Sequence, residues 1–131
     1  MAEHPHNVSA LWKVAILFSL LPLPALAEIT VLKCDFSNMQ GSSTFFTIYD
    51  DGRPAQVGIG PGVGNRSSVI SDKLTRAMVI IELNPDGVPG SFTTISPNMD
   101  AVHSRAWVDP DGRVLAPSQG TGRCQQIPQV G

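Results

Sequence analysis

The stretch AMVIIELNPDG, Ala77 to Gly87, decides the fold class. Its first seven residues are the most apolar run beyond the N-terminal region. Seven residues suit a buried strand better than a helix, and the β-branched Val79, Ile80 and Ile81 lose less side-chain freedom in a strand. Asn84-Pro85-Asp86-Gly87 then ends the run with turn chemistry: proline presets φ, Asp bonds back to the backbone and Gly accepts positive φ. The same device recurs at Asp50-Asp51-Gly52 and at Asp109-Pro110-Asp111-Gly112. Three Asp-Gly turns between apolar runs predict three hairpins.

Working outward, Ile29 to Phe36 alternates, with Thr30, Leu32, Cys34 and Phe36 on the face that excludes both charges. Thr44 to Tyr49 is β-branched and aromatic, and Ala55–Ile59, Ser67–Ser71, Ser91–Ser96 and Ala101–Val108 follow as short strands. Asp72–Arg76 is expected to add one helical turn, Arg113–Ala116 a last full strand, and Gly122–Gln126 a strand carrying Cys124. Seven to nine short strands at this spacing predict an all-β domain, a small antiparallel barrel or sandwich.

The N-terminal region sets the expected destination. A polar start ending in Lys13, an apolar run from Val14 to Leu23 and then Ala25-Leu26-Ala27 are the three parts of a cleaved secretory signal, assigned to residues 1–27. The run is too short to span a bilayer, which takes about 20 apolar residues, and Pro22 and Pro24 break it. Residues 28–131 are then one domain, with 127–131 as a frayed tail, in a periplasmic or secreted protein without a transmembrane segment. All 12 glycines and 8 of the 11 prolines lie in that part, which argues for many turns. Its 8 basic and 10 acidic residues form no basic stripe, so nucleic acid is not expected as a partner, and a monomer is expected. Cys34 and Cys124 are the only cysteines, and in an oxidising compartment an isolated pair predicts a disulfide.

Candidate sites are few. Gly58-x-Gly60-x-Gly62-x-Gly64 lacks the lysine and following helix of a phosphate-binding loop and reads as a hairpin loop, with Gly60, Gly62, Gly64 and Arg66 as a mobile contact surface. Asn65-Arg66-Ser67 matches an N-glycosylation sequon, relevant only in a eukaryotic secretory pathway. Asp109-x-Asp111-Gly112 starts like a calcium loop, but its twelfth position is Gly120 where a glutamate is required. His103 is the one histidine after residue 27, too few for a usual zinc site, so neither metal nor cofactor is expected. On a strand, His103, Arg105 and Trp107 share one face and Val102, Ser104, Ala106 and Val108 the other. The second face is the more apolar. That predicts it as the core side and leaves His103, Arg105 and Trp107 as a partly exposed patch of the kind enriched in binding hot spots. The opposite orientation puts Trp107 in the core and demands a buried partner for Arg105.

TVLKCDF (residues 30–36) and SRAW…LAPSQGTGRC (104–124) resemble the ends of small exported bacterial single-disulfide β-proteins of uncharacterised function. In outline the layout is also similar to the periplasmic inhibitors of c-type lysozyme, small eight-stranded barrels with terminal cysteines. Those inhibitors present a loop with serine, glycine and tyrosine; here the corresponding GPGVGNRSS has no tyrosine, so no site residue carries over. The expected function is therefore an exported, non-enzymatic binding or inhibitor-like protein. The alternatives are a barrel that carries a small apolar ligand and a hydrolase using His103.

Overall fold

The computed structural model describes residues 28–106, 111–114 and 116–128. These form an all-β domain of eight strands: β1 (Ile29–Phe36), β2 (Thr44–Tyr49), β3 (Ala55–Gly58), β4 (Asn65–Ser71), β5 (Met78–Leu83), β6 (Pro89–Ile95), β7 (Asp100–Arg105) and β8 (Ser118–Ile127). Each strand pairs antiparallel with the next, and β8 pairs back onto β1, so the sheet closes into an up-and-down barrel with no free edge. The sandwich alternative is thereby removed.

The seam is fixed covalently. Cys34 and Cys124 face each other directly in the β1–β8 register, with Cα atoms 4.0 Å apart, and are joined by a disulfide. Ile127, placed in the tail by the sequence reading, is the last residue of β8 and pairs with Val31. The expected signal segment 1–27, Trp107 and residues 129–131 lie outside the described residues.

Turn chemistry sits where the sequence placed it at two of the three expected sites; Asp109 and Pro110 of the third lie outside the described residues. Gly52 and Gly87 adopt φ of 85° and 82° in the β2–β3 and β5–β6 turns. Asn84 holds the second turn with its side chain, accepting from the amides of Asp86 and Val88. Two segments differ from expectation. Asp72–Arg76 forms a hydrogen-bonded turn and no helix: Asp72 accepts from the Leu74 amide and the Thr75 hydroxyl, and Arg76, at φ 60°, reverses the chain into β5. A carboxylate that binds its own turn this way competes with helix formation. Arg113–Ala116 is no strand. Only an isolated bridge forms at Val114, and β8 begins at Ser118, after Pro117, which has no amide to give a ladder.

Alternation sends one set of side chains inward. Leu32, Cys34, Phe36, Phe46, Val57, Ile80, Ile95, Ala101 and Cys124 form the buried core. Because the barrel is up-and-down, the β2–β3, β4–β5 and β6–β7 turns gather at one end, and the other four connections gather at the opposite end. The first end is closed by apolar packing. Ile48, Val69 and Met78 pack against the core, and Met99, at φ 72° in the β6–β7 turn, packs there too while its carbonyl accepts the Cys124 amide.

Candidate functional site: the open end of the barrel

The strand registers bring a different set of residues inward at the other end. Ser67 lies opposite Glu82, Glu82 opposite Ser91, and Ser91 opposite Arg105, a row of polar side chains running across β4, β5, β6 and β7. Next along the barrel, Thr93 lies opposite His103. The polar row is wired internally: Glu82 Oε1 accepts from Asn65 Nδ2 (2.8 Å) and Oε2 from the Ser91 hydroxyl (2.7 Å). Asn65, first residue of the glycosylation sequon, thus spends its amide on an internal carboxylate.

β7 faces the opposite way from the sequence expectation. His103 is 1 % exposed and Ala101 is buried beside it, whereas Val102 on the other face is 37 % exposed. The reason lies on β8. Gly120 stands opposite His103 and Gly122 opposite Phe36. A Cβ on Gly120 would collide with Asn38, whereas the absence of one at Gly122 leaves room for the Phe36 ring, which stacks on the His103 ring, centroids 4.9 Å apart. A Cβ on Gly122 would lie 2.7 Å from Phe36 Cδ1 and 2.0 Å from the Asp35 carbonyl oxygen. The signal missed in the sequence was G-x-G inside a strand, which marks close approach of neighbouring groups.

His103 is held in a defined orientation. Its Nδ1 lies 2.8 Å from Thr93 Oγ1, while Nε2, buried, has no hydrogen-bond partner among the described residues. Burial first, and then the positive charge of Arg105, push its pKa below the ordinary imidazole value, with Glu82 pulling weakly the other way. At neutral pH the ring is uncharged.

Above this ring the barrel opens into a cavity of about 440 Å³. Met39, Val57, Ile59 and Val63 give it apolar wall, and Thr44, Asn65, Glu82, His103 and Arg105 give it polar groups. The glycine loop between β3 and β4 forms part of the rim. Its glycines have separate tasks. Gly58 and Gly64 form a neck so tight that a Cβ on Gly64 would sit 1.9 Å from the Val57 carbonyl oxygen. Gly62 takes φ 71° and donates its amide to Thr47 Oγ1, whereas a Cβ on Gly60 would make only an ordinary 3.7 Å contact with Val63 Cγ2. The loop is pinned at the neck and at Gly62, with Ile59 and Val63 held at the mouth. Arg66 points outward, exposed, on β4.

The structure therefore splits the sequence-predicted surface. His103 and Arg105 belong to the barrel interior, Gly64 to the rim, and Arg66 to the outer wall; Trp107 lies outside the described residues. Glu82 and Thr93 were not singled out in the sequence, and Asn65 only as the start of a glycosylation sequon, because isolated polar residues in short strands carry no sign of which way they point. Among the described residues no three His, Cys, Asp or Glu side chains gather as metal ligands. Comparison with protein-family models, with curated proteins and with solved structures yields no match for this chain.

Proposed function

We propose that this chain is an exported, non-enzymatic binding protein that holds a small ligand in the open end of its barrel. The observation that carries this reading is the cavity of about 440 Å³ at the open end, where Asn65, Glu82, His103 and Arg105 converge beside Val57, Ile59 and Val63. The volume falls in the range of small-molecule sites, and mostly apolar walls with a few convergent polar groups are their usual make-up. Eight strands make a barrel wide enough to hold one small ligand. The alternative of a purely apolar cargo fits less well, because the apolar end of the interior is filled with side chains and the space lies at the polar end. Hydrolysis by His103 would call for a nucleophile at Nε2 and an orienting carboxylate at Nδ1, and the partner at Nδ1 is the Thr93 hydroxyl. A disulfide across the seam suits an oxidising compartment such as the periplasm or the cell exterior.

The test is amide chemical-shift mapping of the ¹⁵N-labelled protein against a library of small fragments. Shifts clustered on Gly58, Gly64, Asn65 and Arg105 are expected. Shifts confined to the outer wall, or none with any fragment, would overturn the reading.

A further inference from the structure

We propose that two copies of this chain pair edge to edge through β4, with Val69, Ile70 and Ser71 of each forming a shared antiparallel ladder about a two-fold axis at Ile70. Composition leads to the expectation of a monomer; the strand registers argue for a dimer. The edge lies at the closed end of the barrel, away from the cavity, and neither depends on the other.

The first observation is a gap in the wall. Every strand has two neighbours, yet not along its whole length. β4 pairs with β5 from Ser67 to Ser71 but with β3 only from Asn65 to Ser67. Two features keep β3 from running further. Pro54, just before it, has no amide to give a ladder. Arg53, at the position that would face Val69, spends its amide on Asp51 and lays its guanidinium over the Tyr49 ring.

The second observation is the phase of the ladder. Along antiparallel strands, opposed residues alternate between hydrogen-bonded and non-hydrogen-bonded pairs. The Asp72 amide donates to the Ala77 carbonyl (2.9 Å). In this register Ile70 and Val79 are then the next bonded pair, and Val69–Ile80 and Ser71–Met78 are non-bonded ones. The N–H and C=O groups of Val69 and Ser71 therefore point away from β5, into the gap. No hydrogen bond from the described residues reaches them there. Unpaired groups along a strand edge are a template for another strand.

The third observation decides the occupant. SSVIS, Ser67 to Ser71, carries no charge, so nothing on the edge repels its own image. Its donors and acceptors are symmetric about Ile70. Set antiparallel on a copy, Val69 meets the copy's Ser71 and Ser71 meets the copy's Val69, each pair exchanging both of its bonds. The two Ile70 side chains then stand directly opposed on the outer wall, where each is otherwise 56 % exposed. Leu74, at the tip of the same hairpin, is 92 % exposed. The pairing carries that tip toward the copy's groove of about 360 Å³, lined by Tyr49, Pro54 and Ala55. So small an interface makes a weak, concentration-dependent dimer.

Sedimentation velocity from micromolar to millimolar concentration, with residue-resolved amide hydrogen exchange at both limits, tests this. The expected result is a monomer at the low limit and a dimer at the high one. The Val69 and Ser71 amides should slow on dimerisation, and the Ile70 amide, already bonded to β5, should change far less. Ile70→Lys sets two like charges face to face, and Ser71→Pro removes only an amide that faces the gap. Each acts twice across the two-fold axis and is expected to weaken association about 10-fold or more. Should Ser71→Pro not fold, Ile70→Lys, at an exposed outward position, carries the test. A monomer throughout, a dimer whose slowed amides lie elsewhere, or a dimer that survives Ile70→Lys overturns the proposal. If the two amides slow only when a β-strand peptide of unrelated sequence is added, the edge belongs to another partner and the pairing of copies is overturned.

Discussion

The two ends of the barrel interior are made by the same eight strands and the same alternation, yet they are filled on different terms. At one end, Ile48, Val69, Met78 and Met99 pack onto Leu32, Phe46, Ile80 and Ile95, and close packing is the stabilising device. At the other, Asn65, Glu82, Ser91, Thr93 and His103 occupy inward positions, and hydrogen bonds stand in for packing. Polar groups inside a barrel cost more than apolar ones unless every one is satisfied. The contrast teaches that one end is built for stability and the other carries a deficit in order to leave room.

Breaking the closed half should have the largest effect. Replacing Cys34 and Cys124 together by alanine opens a covalent loop with a sequence separation of 90 residues, and a loss of about 4–5 kcal/mol is expected on the chain-entropy account. Denaturant unfolding of the variant, beside the parent with and without reductant, measures it. Next comes Phe46→Ala, at a side chain 1 % exposed in the core, with an expected loss of about 3–5 kcal/mol in the same assay. An effect below about 1 kcal/mol would show that the closed end is not where the stability resides.

The third prediction strikes the join between the halves. Gly122→Ala forces a methyl against the Asp35 carbonyl and the Phe36 ring, and a loss of about 1–3 kcal/mol is expected. Weaker near-ultraviolet aromatic dichroism should accompany it, as Phe36 leaves His103.

The fourth belongs to the open end alone. His103 has its folded pKa depressed, so the unfolded chain binds the proton more readily. Its contribution is present above the unfolded value of about 6.5 and is lost as pH falls through the lower folded one. The parent should weaken between pH 7 and pH 5, at no more than about 1.4 kcal/mol per pH unit, and His103→Phe should flatten that window. Asp51 and Asp72, lowered by Arg53 and by the Thr75 and Leu74 donors, act only in a more acid range, as pH falls through and below their folded values, beneath the ordinary 3.8. The smallest effect is expected at Ile59→Ser, on the exposed rim: within about 0.5 kcal/mol in stability, with weaker binding of any ligand seated in the cavity. A large loss of stability there would mean the rim is structural.

This contrast also explains what was legible in the sequence. Strands announce themselves through alternation and through Asp-Gly turns, so the all-β class, the strand count and the Cys34–Cys124 pairing were readable. The direction of β7 was not. Val102, Ala106 and Val108 form the more apolar side, and a rule that sends the apolar face inward reverses the strand. The rule fails because β8 contributes Gly120 and Gly122 where side chains were assumed: Asn38 fills the space at Gly120, and Phe36 fills that at Gly122 and stacks on His103. Likewise four glycines looked alike in GIGPGVG, and only the neck geometry separates Gly58 and Gly64, which have no space for a Cβ, from Gly60, which has. Asn65, Glu82 and Ser91 meet only through the β4–β5–β6 register, and periodicity does not report register between strands.

The seam between β1 and β8 has one further consequence. Every other pairing joins strands adjacent in the chain; this one pairs Val31 with Ile127 and so brings the outer ends of the first and last strands side by side. Viewed down its axis the barrel is a ring, and where the chain begins along that ring is arbitrary. A circular permutant, with residues 128 and 28 joined by a short linker and new termini cut in the exposed Asn84–Gly87 turn, would keep every strand neighbour and every inward residue in place. The seam would then be crossed by a connection like the six that remain, and the bond at Cys34 and Cys124 would change from a clasp on a long loop into a brace within one hairpin.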